Sequence, residues 1–352
     1  MKKPGLYNIL IILTLAGGCS KNDDMPTSTG PAPTPEWQTF AATDTGDAVS
    51  SLAVYNSNLF EGNANGYGSN NITEWNGLEW EIIGSGFPDQ VTINQVVSTM
   101  TIYNNSLCVG GVFSTTYADP GNNIASWNGA AWSTFGTGMN DKVIALTVYN
   151  NELIAGGAFT NAGGNAVNHI AQWNGSAWSG FGSGTDGSVN ALAVYNGDLI
   201  AGGGFSIAGG NVASNIAMWN GTTWSAMGAG MGGTVNCLTI YNGNLVAGGS
   251  FARADGNLVN NIAQWNGTAW SALSSGVSAT GFVSALAVNN GNLYAAGSFG
   301  AAGSIPASNV AIWNGTAWSA LGSGISKVVS ALTVFNGHVV ASDSSRVAQW
   351  PE

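Results

Sequence analysis

The sequence predicts an all-β protein, a seven-bladed β-propeller with four antiparallel strands per blade and a ring closed by the N-terminal strand. Three observations carry that expectation. Trp-Asn-Gly-x-x-Trp returns at Trp75, Trp127, Trp173, Trp219, Trp265 and Trp313, with spacings of 52, 46, 46, 46 and 48 residues, and self-similarity at such a period marks a repeat architecture. The composition, with 52 glycines and only 7% charged residues in 352, lacks the Ala/Glu/Lys/Leu-rich stretches of long helices and reads as turn-rich β. Two tryptophans outside the pattern, Trp37 and Trp350, are its two halves, so the chain is cut inside a repeat.

The elements follow in order within one repeat. Val189 to Tyr195 is apolar and partly alternating, a first strand. Asn196-Gly197 is a hairpin signal because both residues tolerate positive φ. Leu199 to Phe205 makes the second strand, a longer Gly/Ala/Ser/Asn loop leads to a third at Asn215 to Trp219, and Asn220-Gly221 turns into a fourth at Trp224 to Gly228. Four antiparallel strands in such a unit are one propeller blade. Counting from each second Trp to the next first Trp gives seven segments, 37–75 through 318–350. The last holds only three strands, while Trp37 to Phe40 is a fourth strand without a blade; pairing the two closes the ring and removes a free edge.

Before the repeats, Lys2 and Lys3 precede an apolar run near residues 9–15 and then Leu15-Ala16-Gly17-Gly18-Cys19. The run is too short to span a bilayer and has the form of a secretory signal. Its ending resembles a bacterial lipobox, which implies cleavage before Cys19 and lipidation of that thiol. Ser20 to Asp24 resembles the export signal of Bacteroidota-type lipoproteins, which implies anchoring in the outer membrane with exposure at the cell surface. The expected organisation is a signal peptide at 1–18, a lipidated Pro/Thr/Ser-rich tether at 19–36 that cannot bury a core, and the propeller at 37–352.

A strand ending in Gly-Gly (Gly110-Gly111, Gly156-Gly157, Gly202-Gly203, Gly248-Gly249), then an aromatic, a turn and a Trp, is similar to kelch-type propellers of the galactose-oxidase-like group. The wording of the repeat is closer still to propeller repeats of fungal cortical polarity-marker proteins and related bacterial surface proteins. The pattern breaks at Phe60-Glu61-Gly62, Ala296-Gly297 and Ala341-Ser342.

Chemistry-bearing patterns are sparse. The two histidines, His169 and His338, fall at non-equivalent strand starts, so a copper oxidase lacks its ligands; a sialidase would need clustered arginines; and no triad or zinc spacing occurs. No cofactor or metal is expected. From Glu36 onward, 16 carboxylates face Lys142, Arg253, Lys327 and Arg346, which makes nucleic acid a poor partner. Cys108 and Cys237 occupy different repeat positions and are not expected to pair. The Asn-Gly-Ser/Thr triplets at Asn174, Asn220, Asn266 and Asn314 are read as turns, and the Gly-x-Gly steps such as Gly182-Ser183-Gly184 as bends between blades.

The sequence thus reads as a monomeric, non-catalytic surface module binding an extracellular protein or glycan; the alternative is a propeller hydrolase or lyase acting on extracellular glycans. A site is expected where the near-copies diverge, on the long-loop face of blades 1 and 2. Tyr67, Asp89, Tyr117 and Asp119 are the candidate binding residues there, since tyrosines bring contact area at little entropic cost and carboxylates accept hydrogen bonds from hydroxyls.

Overall fold

The computed structural model describes residues 35–40, 48–64, 72–84, 96–113 and 123–351, and among them every regular element is a strand. Blade 4 shows how the sequence builds the unit. Ser188–Tyr195, Asp198–Gly204, Ile216–Trp219 and Trp224–Ala226 pair antiparallel in that spatial order. Asn196 and Gly197 turn the first hairpin with φ of 51° and 89°, the twin positive angles that match strand twist. At the outer hairpin the Asn220 Oδ1 accepts the backbone N–H groups of Thr222 and Thr223 at 3.0 and 2.9 Å, so the Asn-Gly-Ser/Thr triplet is consumed by its own turn. The long loop holds a small hairpin, Ile207–Ala208 with Asn211–Val212, which its Gly-rich composition did not foretell.

Seven such blades follow one another, covering 48–82, 96–134, 143–180, 188–226, 231–272 and 282–320, and a seventh made of Val329–Phe335, His338–Asp343, Val347–Gln349 and the N-terminal Gln38–Thr39. The closing pair is in register, Gln38 opposite Gln349 and Thr39 opposite Ala348, as the orphan strand required. Trp37 and Trp350 flank it with ring centroids 5.6 Å apart, matching the 5.4 Å of the intact pair Trp219 and Trp224.

The core lies between blades. One cluster joins Tyr149, Ile154 and Ile170 of blade 3 to Leu199, Ala217 and Trp224 of blade 4. At the seams of blades 2 to 5 the second tryptophan of the repeat is the deeper of its pair: Trp178, Trp224 and Trp270 are 2, 4 and 3% exposed, each hiding ~200 Å² worth ~25 cal/mol per Å² gross. Close approach explains the paired glycines. A Cβ on Gly156 would meet Val189 of the next blade, and one on Gly157 would strike the Lys142 carbonyl of its own first strand. That strand is bulged at this point, between Val143 and Ala145, and every first strand repeats the shift. Gly182 and Gly184 take φ of 55° and 66° at the bend into the next blade, as their spacing implied.

Candidate functional site

Cys19, Tyr67, Asp89, Tyr117 and Asp119 all lie outside the described residues. The scaffold around four of them is described. The chain carrying Tyr67 leaves the second strand of blade 1, Asn58–Ala64, and returns as the third, Ile72–Trp75. Tyr117 and Asp119 sit in the equivalent connection of blade 2, between Ser106–Val112 and Ile124–Trp127, and Asp89 in the link from Trp80–Ile82 to Val96–Tyr103. Antiparallel alternation brings these three connections out on one face. Their bases are fastened together, because Ala64 pairs with Val96 and merges blades 1 and 2 into one sheet. Asn123, left-handed at φ 49°, takes the Phe113 N–H and donates to the Met139 carbonyl of blade 3, both at 3.0 Å.

Beneath the Tyr67 connection the wall turns polar. Glu61 is 1% exposed and accepts from the Thr73 hydroxyl at 2.8 Å. The matching cross-strand pairs elsewhere are Val109 with Ala125, Ala155 with Ala171, Ala201 with Ala217, Ala247 with Ala263, Ala295 with Ala311 and Ala341 with Ala348. Asn63, also 1% exposed, stands where blades 2 to 6 have the second glycine, and Ser51 beside them is 5% exposed and donates to the Val97 carbonyl at 2.7 Å. Burying such groups costs free energy unless they are bonded, and blade 1 thus gives up the repeat's alanine and glycine wall, as blade 7 gives up its glycines at Ser342 and Asp343. Sequence reasoning noted Phe60-Glu61-Gly62 as a broken motif without seeing that Glu61 is interior; the even spacing from Leu59, which faces the seam between blades 7 and 1, is the signal that could have shown it.

On the same face of blades 3 to 6 the polar residues serve the loops. Asp186 accepts the Ser206 and Ile207 N–H groups at 2.7 and 2.8 Å; burial nudges its carboxyl upward, but those N–H bonds and the His169 side chain outweigh it and hold it below the usual carboxylate range. Asn140 and Ser278 do the same work in blades 3 and 6, and Asp255 clamps the Ala229 and Trp270 N–H groups at 2.6 and 3.1 Å. In blade 7, Asp343 is 2% exposed and bonded to Arg346 at 3.2 Å and to Ser345. Around the axis, bulge side chains bridge neighbouring first strands: Ser50 to the Val97 carbonyl at 2.7 Å and Asn236 to that of Val283 at 3.1 Å.

Among the described residues no group of three His, Cys, Asp or Glu side chains is placed to hold a metal ion. Cys108 and Cys237 are free thiols. Burial pushes Cys108 up to about 12 and Cys237 higher still, against the pull of a backbone hydrogen bond in each case, so neither is poised as a nucleophile. His169 and His338 stand in blades 3 and 7.

No family model matches the sequence, and no curated protein matches it either. Solved structures do. The chain is similar to the WD40 β-propeller domain of Doa1, at 13% identity with a TM-score of 0.57, over 90% of this chain and 97% of that one. It is similar to the computationally designed protein Ika8, at 15% identity and a TM-score of 0.54, over 90% of this chain and all of that one. It is also similar to the extracellular domain of a hybrid two-component system from B. thetaiotaomicron, at 10% identity and a TM-score of 0.61 over 90% of this chain, which spans only 40% of that domain's length. At these identities the likeness shows the fold.

Proposed function

We propose that the chain is a rigid, non-catalytic binding module of the cell surface, anchored by lipid at Cys19 and presenting the long-loop face of blades 1 and 2 to an extracellular protein or glycan. The observation that carries this reading is the polar wall of blade 1, Glu61 with Thr73 and Asn63, on the two strands that the segment holding Tyr67 joins. Blade 7 also holds an interior carboxyl group, Asp343, but that one is engaged by Ser345 and Arg346 of its own turn, whereas Glu61 stands in a cross-strand position that is alanine or valine in every other blade. The clamps in blades 3 to 6 support the same choice, because Asp186 and Asp255 are engaged by their own loops and are not free for a partner. The likeness to an extracellular domain agrees with a surface address.

The test is a pull-down of the propeller, residues 37–352, against cell-surface glycans and proteins, followed by affinity measurement. Tyr67→Ala with Tyr117→Ala weakens the captured partner at least tenfold, about 1.4 kcal/mol, with an unchanged melting temperature. Undiminished affinity in the double variant removes the site from this face of blades 1 and 2.

A further inference from the structure

On the opposite face, where only hairpin turns emerge, most seams between blades carry a polar latch, and among the described residues the seam of blades 7 and 1 has none. The first strands of blades 1 to 5 end in Tyr55, Tyr103, Tyr149, Tyr195 and Tyr241, each one rung from its turn. The Tyr55 hydroxyl donates to the Asn105 carbonyl in the inner turn of blade 2 at 3.0 Å, and that of Tyr241 to the Gly291 carbonyl of blade 6 at 3.2 Å. The hydroxyls of Tyr55, Tyr149, Tyr195 and Tyr241 also rest against the outer-turn glycine of the following blade, Gly129, Gly221, Gly267 and Gly315. Blade 6 uses Asn289 instead, whose Nδ2 reaches the Gly337 carbonyl of blade 7 at 2.7 Å. Blade 7 ends its strand in Phe335, which has nothing to donate, and Gly77 in the facing turn of blade 1, like Gly175 in that of blade 3, has no atom within 4 Å of where a Cβ would lie.

The space left between blades 7 and 1 is a groove of about 600 Å³, within the ~300–1,000 Å³ range of small-molecule sites. Three of its walls are aromatic: Phe335, Phe40 and Trp75, the last two set edge to face at 5.1 Å and 83°. Between them stand the amides of Gln38, Gln349 and Asn336, with Gln349 donating to Gln38 at a long 3.4 Å. Gln38 and Asn336 are exposed. The lining has no Asp, Glu, Lys or Arg.

That chemistry selects a ligand class. An ion finds no countercharge, and an anion is repelled by a chain of net charge −11. A purely apolar ligand would strip water from the five amides of the lining, Gln38, Asn58, Asn76, Asn336 and Gln349, and give nothing back. Amides both donate and accept, as hydroxyls do, while aromatic faces suit the C–H surface between hydroxyls. We infer that the groove at the seam of blades 7 and 1 is a subsite for a neutral saccharide unit. It is independent of the long-loop face, and because Gln38 belongs to the N-terminal strand, Phe40 follows it directly and Gln349 belongs to its partner, ligand seated there also braces the ring closure.

Saturation-transfer NMR on the purified full chain tests this with maltose, cellobiose, lactose, xylobiose, mannobiose and diacetylchitobiose, and with 3′-sialyllactose as an anionic control. At least one neutral disaccharide receives saturation and raises the melting temperature, and sialyllactose does not. Phe335→Tyr restores the latch by placing a hydroxyl across the groove toward the turns of blade 1, so affinity falls at least tenfold while the melting temperature of the free protein rises. Gln38→Ala with Gln349→Ala removes the amides at exposed or half-exposed positions and weakens binding at least tenfold with the fold unchanged. Silence from every neutral sugar, equal transfer to sialyllactose, or undiminished binding in both variants overturns the assignment.

Discussion

The indole Nε1 of Trp178 in blade 3 donates to the Phe135 carbonyl at the end of blade 2, 2.9 Å away. The bond recurs from Trp224 to Phe181, Trp270 to Met227 and Trp318 to Leu273 at 3.0, 3.1 and 2.9 Å. One residue thereby fills the seam and satisfies the last carbonyl of the blade before it, which accounts for its recurrence at a single register. Trp37 holds that register in blade 7, yet its Nε1 is buried with no hydrogen-bond partner among the described residues. At this boundary the link is made instead by the Ser323 hydroxyl, donating to Glu36 at 2.7 Å.

Separating the two roles of the indole gives the first prediction. Trp224→Phe keeps most of the buried surface and leaves the Phe181 carbonyl unpaired, costing about 1–3 kcal/mol. Trp224→Ala also leaves a cavity and costs about 3–5 kcal/mol. Urea unfolding with an unchanged m-value should rank wild type, Phe and Ala in that order; equal midpoints for Phe and Ala would mean that the hydrogen bond outweighs packing.

The second prediction concerns closure. Deleting 37–41 removes the strand paired through Gln38 with Gln349 and Thr39 with Ala348, along with the aromatic contacts of Trp37 to Trp350 and Phe40 to Trp75. Deleting 20–35 removes none of these contacts. The first truncation should lower the melting temperature far more, with roughly 3–5 kcal/mol lost from Trp37 alone, and equal melting temperatures would contradict closure by this strand.

Most of the fold was legible because each structural need recurs at one place in the repeat. Asn-Gly fixed the turns and Trp37 with Trp350 the ring closure, while Gly156-Gly157 carried a resemblance whose cause, close approach to Val189 and to the Lys142 carbonyl, only the structure shows. The site was less legible for the same reason: a repeat advertises what its copies share, while Glu61 and Phe335 matter because they differ from their counterparts. Glu61 looked like a lost glycine motif until register placed it against Thr73 inside the blade. Phe335 for tyrosine is a single missing oxygen, and its meaning depends on the two turns of blade 1 that the hydroxyl would have met.

The anchor gives the third prediction. Under the proposed lipid anchoring, the apolar run near residues 9–15 and Leu15-Ala16-Gly17-Gly18-Cys19 present the Cys19 thiol as the acceptor of lipid, and stable anchoring needs more than one acyl chain. Cys19→Ser should leave the protein unprocessed or shed from membranes when fractions are separated and blotted. A variant that stays membrane-bound and accessible to protease outside the cell would rule out lipidation at Cys19.

Asp186 gives the last prediction, through pH. Its Oδ1 holds the Ser206 and Ile207 N–H groups, and its carboxyl lies below the usual carboxylate range because those bonds favour the charged form. A group whose folded pKa is depressed contributes stability that is present above its unfolded pKa, ~3.9 for aspartate, and is lost as pH falls through the lower folded value. Asp186→Ala should therefore melt below wild type at pH 7, and the gap should narrow as the pH is taken to 3 and under. Asp186→Asn should stay near wild type at pH 7, because Asn140 makes the same two bonds in blade 3 at 2.9 Å each with a neutral oxygen, and it should lose less on acidification. Melting curves of the three proteins across pH 2–7 decide the matter: a gap between alanine and wild type that does not change with pH would show that the clamp needs the oxygen and owes nothing to its charge.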